Sequence, residues 1–121
     1  MRASKNQPLG ARLRFAWSGL AHGLRNERSL QFHLAALVLV GAAMIAFRPE
    51  PVWWALVALA SAAVIGAELF NTAIEHLADH LHPEIHPSIR IVKDCAAAAV
   101  LMASLGAVCV AAALLVHLMS R

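Results

Sequence analysis

The sequence contains few cysteines and no tyrosine: among its 121 residues there are two cysteines. Cys95 and Cys109 are fourteen positions apart in one apolar run, which corresponds to about 21 Å along a helix. A disulfide requires Cα atoms within about 7 Å of each other, so no intrachain disulfide joins them. No C-x-x-C spacing occurs either. We expect both cysteines to be small, buried apolar residues rather than redox groups.

Several ligand-binding patterns are also missing. No loop of the form G-x-x-x-x-G-K-[ST] occurs, so any nucleotide must be held by side chains. The ten Lys and Arg residues form no dense patch with interleaved aromatic residues, which argues against nucleic acid as a partner. His76 and His80 are four residues apart, but no H-E-x-x-H pattern is present. We interpret them as interfacial histidines, with zinc binding as the alternative.

Apolar residues, by contrast, make up 60% of the chain, and the mean hydropathy is +0.66. A soluble domain of this size does not bury so much apolar surface. We therefore predict one integral membrane domain over residues 1–121. The apolar runs predict three transmembrane helices, at about 29–47, 51–80 and 91–118.

An amphipathic segment, at about residues 9–25, precedes the first span. Its apolar side chains recur at three- and four-residue spacing, at Leu13, Trp17, Leu20 and Leu24. A basic amphipathic helix with a tryptophan is typical of the membrane interface, and packing against protein is the alternative. The predicted fold class is all-α integral membrane, with an N-terminal amphipathic surface helix and three transmembrane helices.

The distribution of Lys and Arg predicts the orientation. Two of these residues, Arg48 and Arg121, lie on one side of the predicted spans. The other eight lie in the N-terminal segment or in the loop between the second and third spans: Arg2, Lys5, Arg12, Arg14, Arg25, Arg28, Arg90 and Lys93. This excess predicts a cytoplasmic N-terminus and second loop, and a C-terminus on the outside.

The second span ends in a group of polar residues that we call the acidic stripe: Glu68, Asn71, Glu75 and Asp79. At 100° per residue they fall within about 80° of one another around the helix axis, on a single face. Ionisable groups at membrane depth are expensive and mark functional sites by default. Interhelical hydrogen bonds are the structural alternative, to which Asn71 and Thr72 are suited.

Two carboxylates at the cytoplasmic end of a span have two chemical uses. One can bind Mg²⁺ through hard oxygen ligands, and the other can accept a proton from a hydroxyl. Together these two functions suit phosphoryl transfer to an alcohol. A cation transporter also uses carboxylates within the membrane, so this pattern alone does not distinguish the two. Lys93 and Asp94 can bind a phosphate or nucleotide, unless they are an ordinary positive-inside lysine and helix-start aspartate. Glu27 can add a third carboxylate, unless it is a solvated charge at a helix end.

Five short motifs occur in order along the chain: N-E at 26–27, E-x-x-N-T-A-I-E at 68–75, Asp79, P-E-I-H-P at 83–87 and K-D-x-A-A-A-A-V at 93–100. Together they resemble the small prokaryotic diacylglycerol kinase family, which includes undecaprenol kinases. The resemblance covers nearly the whole chain. The E-x-x-N-[ST]-A-I-E block followed by K-D is its most specific part.

The resemblance implies a homotrimer in the bacterial cytoplasmic (inner) membrane that transfers the ATP γ-phosphate to a lipid hydroxyl at sites shared between subunits. It implies that Glu68 is the catalytic base and that Glu27 and Glu75 hold a divalent cation, Mg²⁺, on the ATP phosphates. The residues implied to bind ATP are Phe15, Glu27, Glu75, Glu84, His86, Lys93 and Asp94. The residues implied to bind the lipid are Trp17, Leu20, Leu24, Glu68, Asn71 and Ala97.

The sequence departs from the diacylglycerol kinase branch at three places. Phe15 replaces a Tyr that contacts ATP, His33 replaces a Glu, and Ala96-Ala97 replaces a Gly-Ser pair near the lipid. These departures leave two lipid substrates open: diacylglycerol, converted to phosphatidic acid, and undecaprenol, converted to undecaprenyl phosphate. The alternatives to an enzyme are a small ion-transport oligomer that uses the acidic stripe and a purely structural membrane scaffold.

Overall fold

The computed structural model describes residues 6–121. Their four helices are α1 Leu9–Asn26, α2 Arg28–Phe47, α3 Pro51–Leu81 and α4 Pro87–Met119. No strand occurs in this part of the chain. Because α2, α3 and α4 are long and apolar enough to cross a membrane, the predicted all-α membrane class is confirmed. Arg2 and Lys5, which entered the orientation count, lie outside the described residues.

The turns between the first three helices are short. Glu27 alone separates α1 from α2, with φ −106° and ψ 112°. α2 ends where Arg48 adopts the left-handed conformation, with φ 50°. Pro51 then begins α3 at the position where the missing N–H of proline removes no helical hydrogen bond. α1 and α2 therefore change direction at a single residue, which keeps the Glu27 side chain at their junction.

α4 begins at Pro87, four residues before the start expected at about 91. Proline is suited to the first helical position, where its N–H would be unpaired in any case. His86 precedes it in an extended conformation, and its Nδ1 accepts a hydrogen bond from Ser88 N at 3.1 Å. Proline disfavours helix at interior positions, whereas Pro87 stands at the first helical position and initiates α4.

α3 and α4 form an antiparallel pair along their whole length. At one end the rings of Trp53 and His117 stack with centroids 5.2 Å apart, and at the other Lys93 pairs with Asp79. α2 runs antiparallel to α3 and closes a small core formed by Met44, Val57 and Leu114. Because α3 has 31 residues, it is about 46 Å long, so part of it projects beyond a hydrocarbon core of about 30 Å.

Most of the α4 circumference is exposed. Cys95 and Cys109 are free thiols on this exposed surface, so the expectation that they are buried is wrong for the single chain. Burial depended on which face of α4 packs against α3, and that face carries Ala96 and Leu114 instead. Val110 and Leu118 pack against the small core, and most of the other large apolar side chains of α4 are exposed, as lipid-facing residues are.

α1 contacts the other helices near its C-terminus. Gly23 is buried there, and a Cβ added to it would lie 2.8 Å from Leu30 Cδ2 and 2.9 Å from Leu69 Cδ2. Glycine therefore permits close approach of α1 to both α2 and α3. Towards its N-terminus the helix leaves Leu13 and Trp17 exposed. The apolar face predicted to lie at the membrane interface is therefore uncovered at Leu13 and Trp17, whereas Leu20 and Leu24 are half-buried.

Candidate functional site at the polar end of the bundle

The acidic stripe of α3 passes from a buried to an exposed environment. Glu68 is only 5% exposed, Asn71 and Glu75 are half-buried, and Asp79 is exposed. Glu68 lies about 26 Å along the helix from Pro51, which keeps it within the thickness of a hydrocarbon core. Asp79 lies about 16 Å further along the axis. The stripe therefore joins a buried carboxylate to an exposed one on the same helix.

Glu68 is held by two side chains of α2. Ser29 Oγ donates a hydrogen bond to Glu68 Oε1, and His33 Nε2 lies 3.1 Å from the same oxygen. Ser29 and His33 are four residues apart, so they share one face of α2. These contacts were not recognised from the sequence, which singled out His33 only as a departure. The available signal was the one-turn spacing of two polar residues just after Glu27.

Asn71 and Glu75 form a second polar pair on α3. Asn71 Nδ2 donates to Glu75 Oε1 at 3.1 Å, as an i,i+4 pair on one helix face. Asn71 Oδ1 is buried and has no hydrogen-bond partner among residues 6–121. A buried carbonyl oxygen without a partner is uncommon, so Asn71 presents an unused acceptor beside Glu75.

A hollow of about 250 Å³ lies between the end of α3 and the start of α4. Its lining contains four of the residues expected to contact ATP, namely Glu84, His86, Lys93 and Asp94. The other residues that line the hollow are Asp79, His82, Pro83, Ile85, Ile89 and Arg90. The end of α3, the loop and the start of α4, all within residues 79–94, therefore form one hollow.

Ion pairs link the charges of this hollow. Lys93 Nζ pairs with Asp79 Oδ1, and Arg90 Nε lies 3.9 Å from Asp94 Oδ2. Both pairs are substantially exposed, where an ion pair contributes about 0–1 kcal/mol. Asp79, to which the sequence assigned no role, is thus the partner of Lys93.

The other residues expected to bind ATP, Phe15, Glu27 and Glu75, do not line this hollow. The Phe15 ring instead contacts the Arg14 guanidinium, 5.6 Å from the ring centroid. Glu27 is half-buried at the α1–α2 junction, where its backbone N donates to Gly23 O at 2.8 Å. The single chain gathers four of the residues expected to bind ATP in the hollow and leaves the other three outside it, on α1, at the α1–α2 junction and on α3.

The other residues expected to bind the lipid line neither this hollow nor the apolar cavity of the bundle. Trp17 is 71% exposed, Leu20 and Leu24 are half-buried on α1, and Ala97 is exposed on α4. A separate apolar cavity of about 340 Å³ runs between α2, α3 and α4, and His33 lies in its wall. His33 therefore borders both the Glu68 carboxylate and an apolar space.

The donors at this end suit a magnesium ion better than zinc. Among the described residues no three His, Cys, Asp or Glu side chains form a group that could hold a metal. Glu27 and Glu75 supply two carboxylates, and Mg²⁺ typically uses one or two carboxylates together with water and substrate phosphates. Their chemistry fits such an ion. His76, which entered the zinc alternative, has its ring against that of His22, with centroids 5.6 Å apart.

The sequence of this chain matches those of known proteins. The family model described as "Prokaryotic diacylglycerol kinase" matches residues 14–115. A diacylglycerol kinase of Synechocystis sp. is 37% identical over 103 residues, which cover 84% of this chain and 59% of that protein. An undecaprenol kinase of Bacillus subtilis is 35% identical over 85 residues, which cover 70% of this chain and 69% of that protein. This chain belongs to the prokaryotic diacylglycerol kinase family.

Proposed function

We propose that this protein transfers the γ-phosphate of ATP to the hydroxyl group of a membrane lipid. The observation that carries the proposal is the burial of Glu68, 5% exposed, within the thickness of the hydrocarbon and on the same helix as the polar hollow. A carboxylate there reaches a lipid headgroup, whereas the hollow is open to a soluble nucleotide. Membership of the prokaryotic diacylglycerol kinase family supports the same reaction.

In this proposal ATP binds at the hollow between α3 and α4. Lys93 supplies a point charge for a phosphate group, and Glu84, His86 and Asp94 surround the remainder of the nucleotide. Because Lys93 is already paired with Asp79, ATP must share or replace that partner. Phe15 of α1 would lie at the edge of the nucleotide site, without the hydroxyl contact that a tyrosine would make.

Glu27 and Glu75 would hold the Mg²⁺ ion. Glu75 keeps one carboxylate oxygen free, because only its Oε1 accepts the hydrogen bond from Asn71. When bound, the ion supplies charge neutralisation on the ATP phosphates. The two glutamates position that charge, while Asn71 holds the Glu75 side chain in one orientation.

Glu68 would act on the lipid hydroxyl. Its carboxylate accepts the hydroxyl proton as the lipid oxygen attacks the γ-phosphorus, and the bond from that phosphorus to the ADP oxygen breaks. Most of the rate enhancement in such a site comes from positioning and charge stabilisation. Trp17, Leu20, Leu24 and Ala97 would border the lipid near the membrane interface.

The lipid alcohol is diacylglycerol or undecaprenol. Relatives that bear each name match this chain at similar identity, 37% and 35%. Diacylglycerol, giving phosphatidic acid, is our first candidate because the match to the diacylglycerol kinase of Synechocystis sp. covers more of this chain, 84% against 70%. Undecaprenol, giving undecaprenyl phosphate, is the second, and His33 favours it because the diacylglycerol kinase branch has a Glu at this position.

We further propose a homotrimer in the bacterial inner membrane with a cytoplasmic N-terminus. Two observations support association: α4 is exposed around most of its circumference, and part of the expected ATP site on α1 lies away from the hollow. The excess of Lys and Arg at the polar end supports the orientation. The number three rests on the family resemblance alone.

The test supplies labelled ATP and each lipid in mixed micelles and measures phosphate incorporation. We expect transfer to one of the two lipids, and loss of transfer in Glu68→Gln without loss of the oligomer. If the protein neither binds ATP at equilibrium nor labels either lipid, the kinase proposal is wrong and the ion-transport alternative takes its place. Ion flux through reconstituted vesicles then measures that alternative directly.

A further inference from the structure

Two side chains of α2 contact the same oxygen of Glu68. Ser29 Oγ donates to Oε1, and His33 Nε2 lies 3.1 Å from Oε1. No other described residue forms a hydrogen bond or ion pair with this carboxylate. Oε2 is therefore the carboxylate oxygen without a protein donor.

We propose that Ser29 and His33 are positioning residues that fix Glu68 through Oε1 and present Oε2 to the lipid hydroxyl. This inference rests on the proposed kinase function and adds to it the identity of the reacting oxygen. It also assigns a role to His33, which distinguishes this chain from the diacylglycerol kinase branch.

The geometry supports a positioning role because a glutamate carboxylate does not orient itself. Its terminal torsion is broad and roughly two-fold, so an isolated carboxylate presents either oxygen. The Ser29 hydroxyl and the His33 ring come from one face of α2 and both contact Oε1, which favours a single orientation. The hydrogen bond from Ser29 and the adjacent His33 ring also offset part of the cost of burying the carboxylate.

The proton balance is compatible with this arrangement. The lipid hydroxyl proton passes to Oε2, which has a free lone pair, while the lipid oxygen forms its bond to phosphorus. Oε1 keeps its contacts with Ser29 and His33 before and after the transfer, so the step requires no proton from either residue. They act through Glu68 and do not need to touch the lipid.

The kinetic test compares variants that remove a donor with variants that keep one. We expect Ser29→Ala and His33→Leu each to lower kcat about 10- to 100-fold, the effect of small misplacement of a reacting group. The KM for ATP should change less than about twofold, because the hollow is untouched. Ser29→Thr and His33→Gln, which retain O–H and N–H donors, should recover most of the lost kcat.

Two further variants control for general damage. Ser120→Ala and His80→Leu make the same chemical changes away from Glu68 and should leave kcat unchanged. If Ser29→Ala and His33→Leu also keep full kcat, or if His33→Gln is as poor as His33→Leu, the positioning role is wrong. Should His33→Leu fail to assemble, His33→Asn, whose amide is shorter, replaces it in the comparison.

A spectroscopic test separates this inference from the proposed function. The ¹⁵N resonances of the His33 ring, assigned by their loss in His33→Gln, should shift in Glu68→Ala and in Glu68→Gln. Unchanged resonances overturn the contact whether or not any lipid is phosphorylated. If Glu68→Gln loses lipid phosphorylation while the Ser29 and His33 variants keep the wild-type kcat, the kinase proposal is supported and the positioning role is wrong.

Discussion

Lys93 of α4 forms an ion pair with Asp79 of α3 across the mouth of the polar hollow. The cation expected to contact a phosphate therefore has an internal anion as its partner. Both side chains are substantially exposed, at 36% and 64%, so the pair contributes at most about 1 kcal/mol to stability. The importance of this pair would lie in nucleotide binding rather than in folding.

Replacing Lys93 should weaken ATP binding. We expect Lys93→Ala to raise the KM for ATP more than about tenfold, because a charge-assisted hydrogen bond contributes about 1.5–3 kcal/mol. Lys93→Arg, which keeps the charge, should have a smaller effect. Initial-rate kinetics over a range of ATP concentrations measure both. An unchanged KM in Lys93→Ala would show that the phosphates bind elsewhere.

Asp79→Asn should have the opposite effect on ATP. Neutralising Asp79 frees Lys93 and removes a negative charge beside the phosphates, so we expect the KM for ATP to fall about two- to fivefold, on the scale of an exposed pair. The thermal midpoint should change little for the same reason. A rise in KM would mean that Asp79 orients Lys93 rather than competing with ATP for it.

Glu68→Gln should abolish phosphoryl transfer and preserve the fold. An amide oxygen still accepts the hydrogen bond from Ser29 and still contacts His33, but the side chain no longer accepts a proton. We expect kcat to fall about 10²- to 10⁴-fold, the usual contribution of a general base. Glu50→Gln, an exposed position at the opposite end of the bundle, is the matched control. Gel filtration of both variants checks assembly.

The metal dependence should change at Glu27 and Glu75. We expect Glu27→Gln and Glu75→Gln each to raise the Mg²⁺ concentration needed for half-maximal activity, because each removes one hard oxygen ligand. Titration of activity with Mg²⁺, after removal of metal by a chelator, measures the shift. Glu50→Gln again provides the control. If both variants keep the Mg²⁺ dependence of the wild type, Glu27 and Glu75 are not ligands of the ion.

Gly23→Ala should destabilise the protein although alanine favours helices. The added Cβ would lie 2.8 Å from Leu30 Cδ2 and 2.9 Å from Leu69 Cδ2, and such overpacking costs about 1–3 kcal/mol. In Gly19→Ala the new Cβ meets nothing within 4 Å, so helix propensity should stabilise that variant slightly. Thermal unfolding in detergent compares the two. Equal midpoints would mean that both leucines move aside freely.

Much of the fold follows from local features of the chain. The length of the apolar runs predicts the membrane spans and the turns between them. Helical periodicity predicts that Glu68 and Glu75 share one face of α3. Both features can be recognised from residues that are neighbours in the sequence. The start of α4 was expected too late because proline has opposite effects at the first and at interior helical positions. Whether Pro87 ends a helix or begins one depends on the residues around it.

The sequence by itself determined the membrane class, the order of helices and the existence of an acidic face, because these are consequences of composition and the 3.6-residue period. Tertiary structure alone decided that Ser29 and His33 meet Glu68, that Asp79 pairs with Lys93 and that Cys95 is exposed. Each of those depends on the rotation and axial register of one helix against another. Packing between distant segments sets that register, and no local pattern in the chain encodes it.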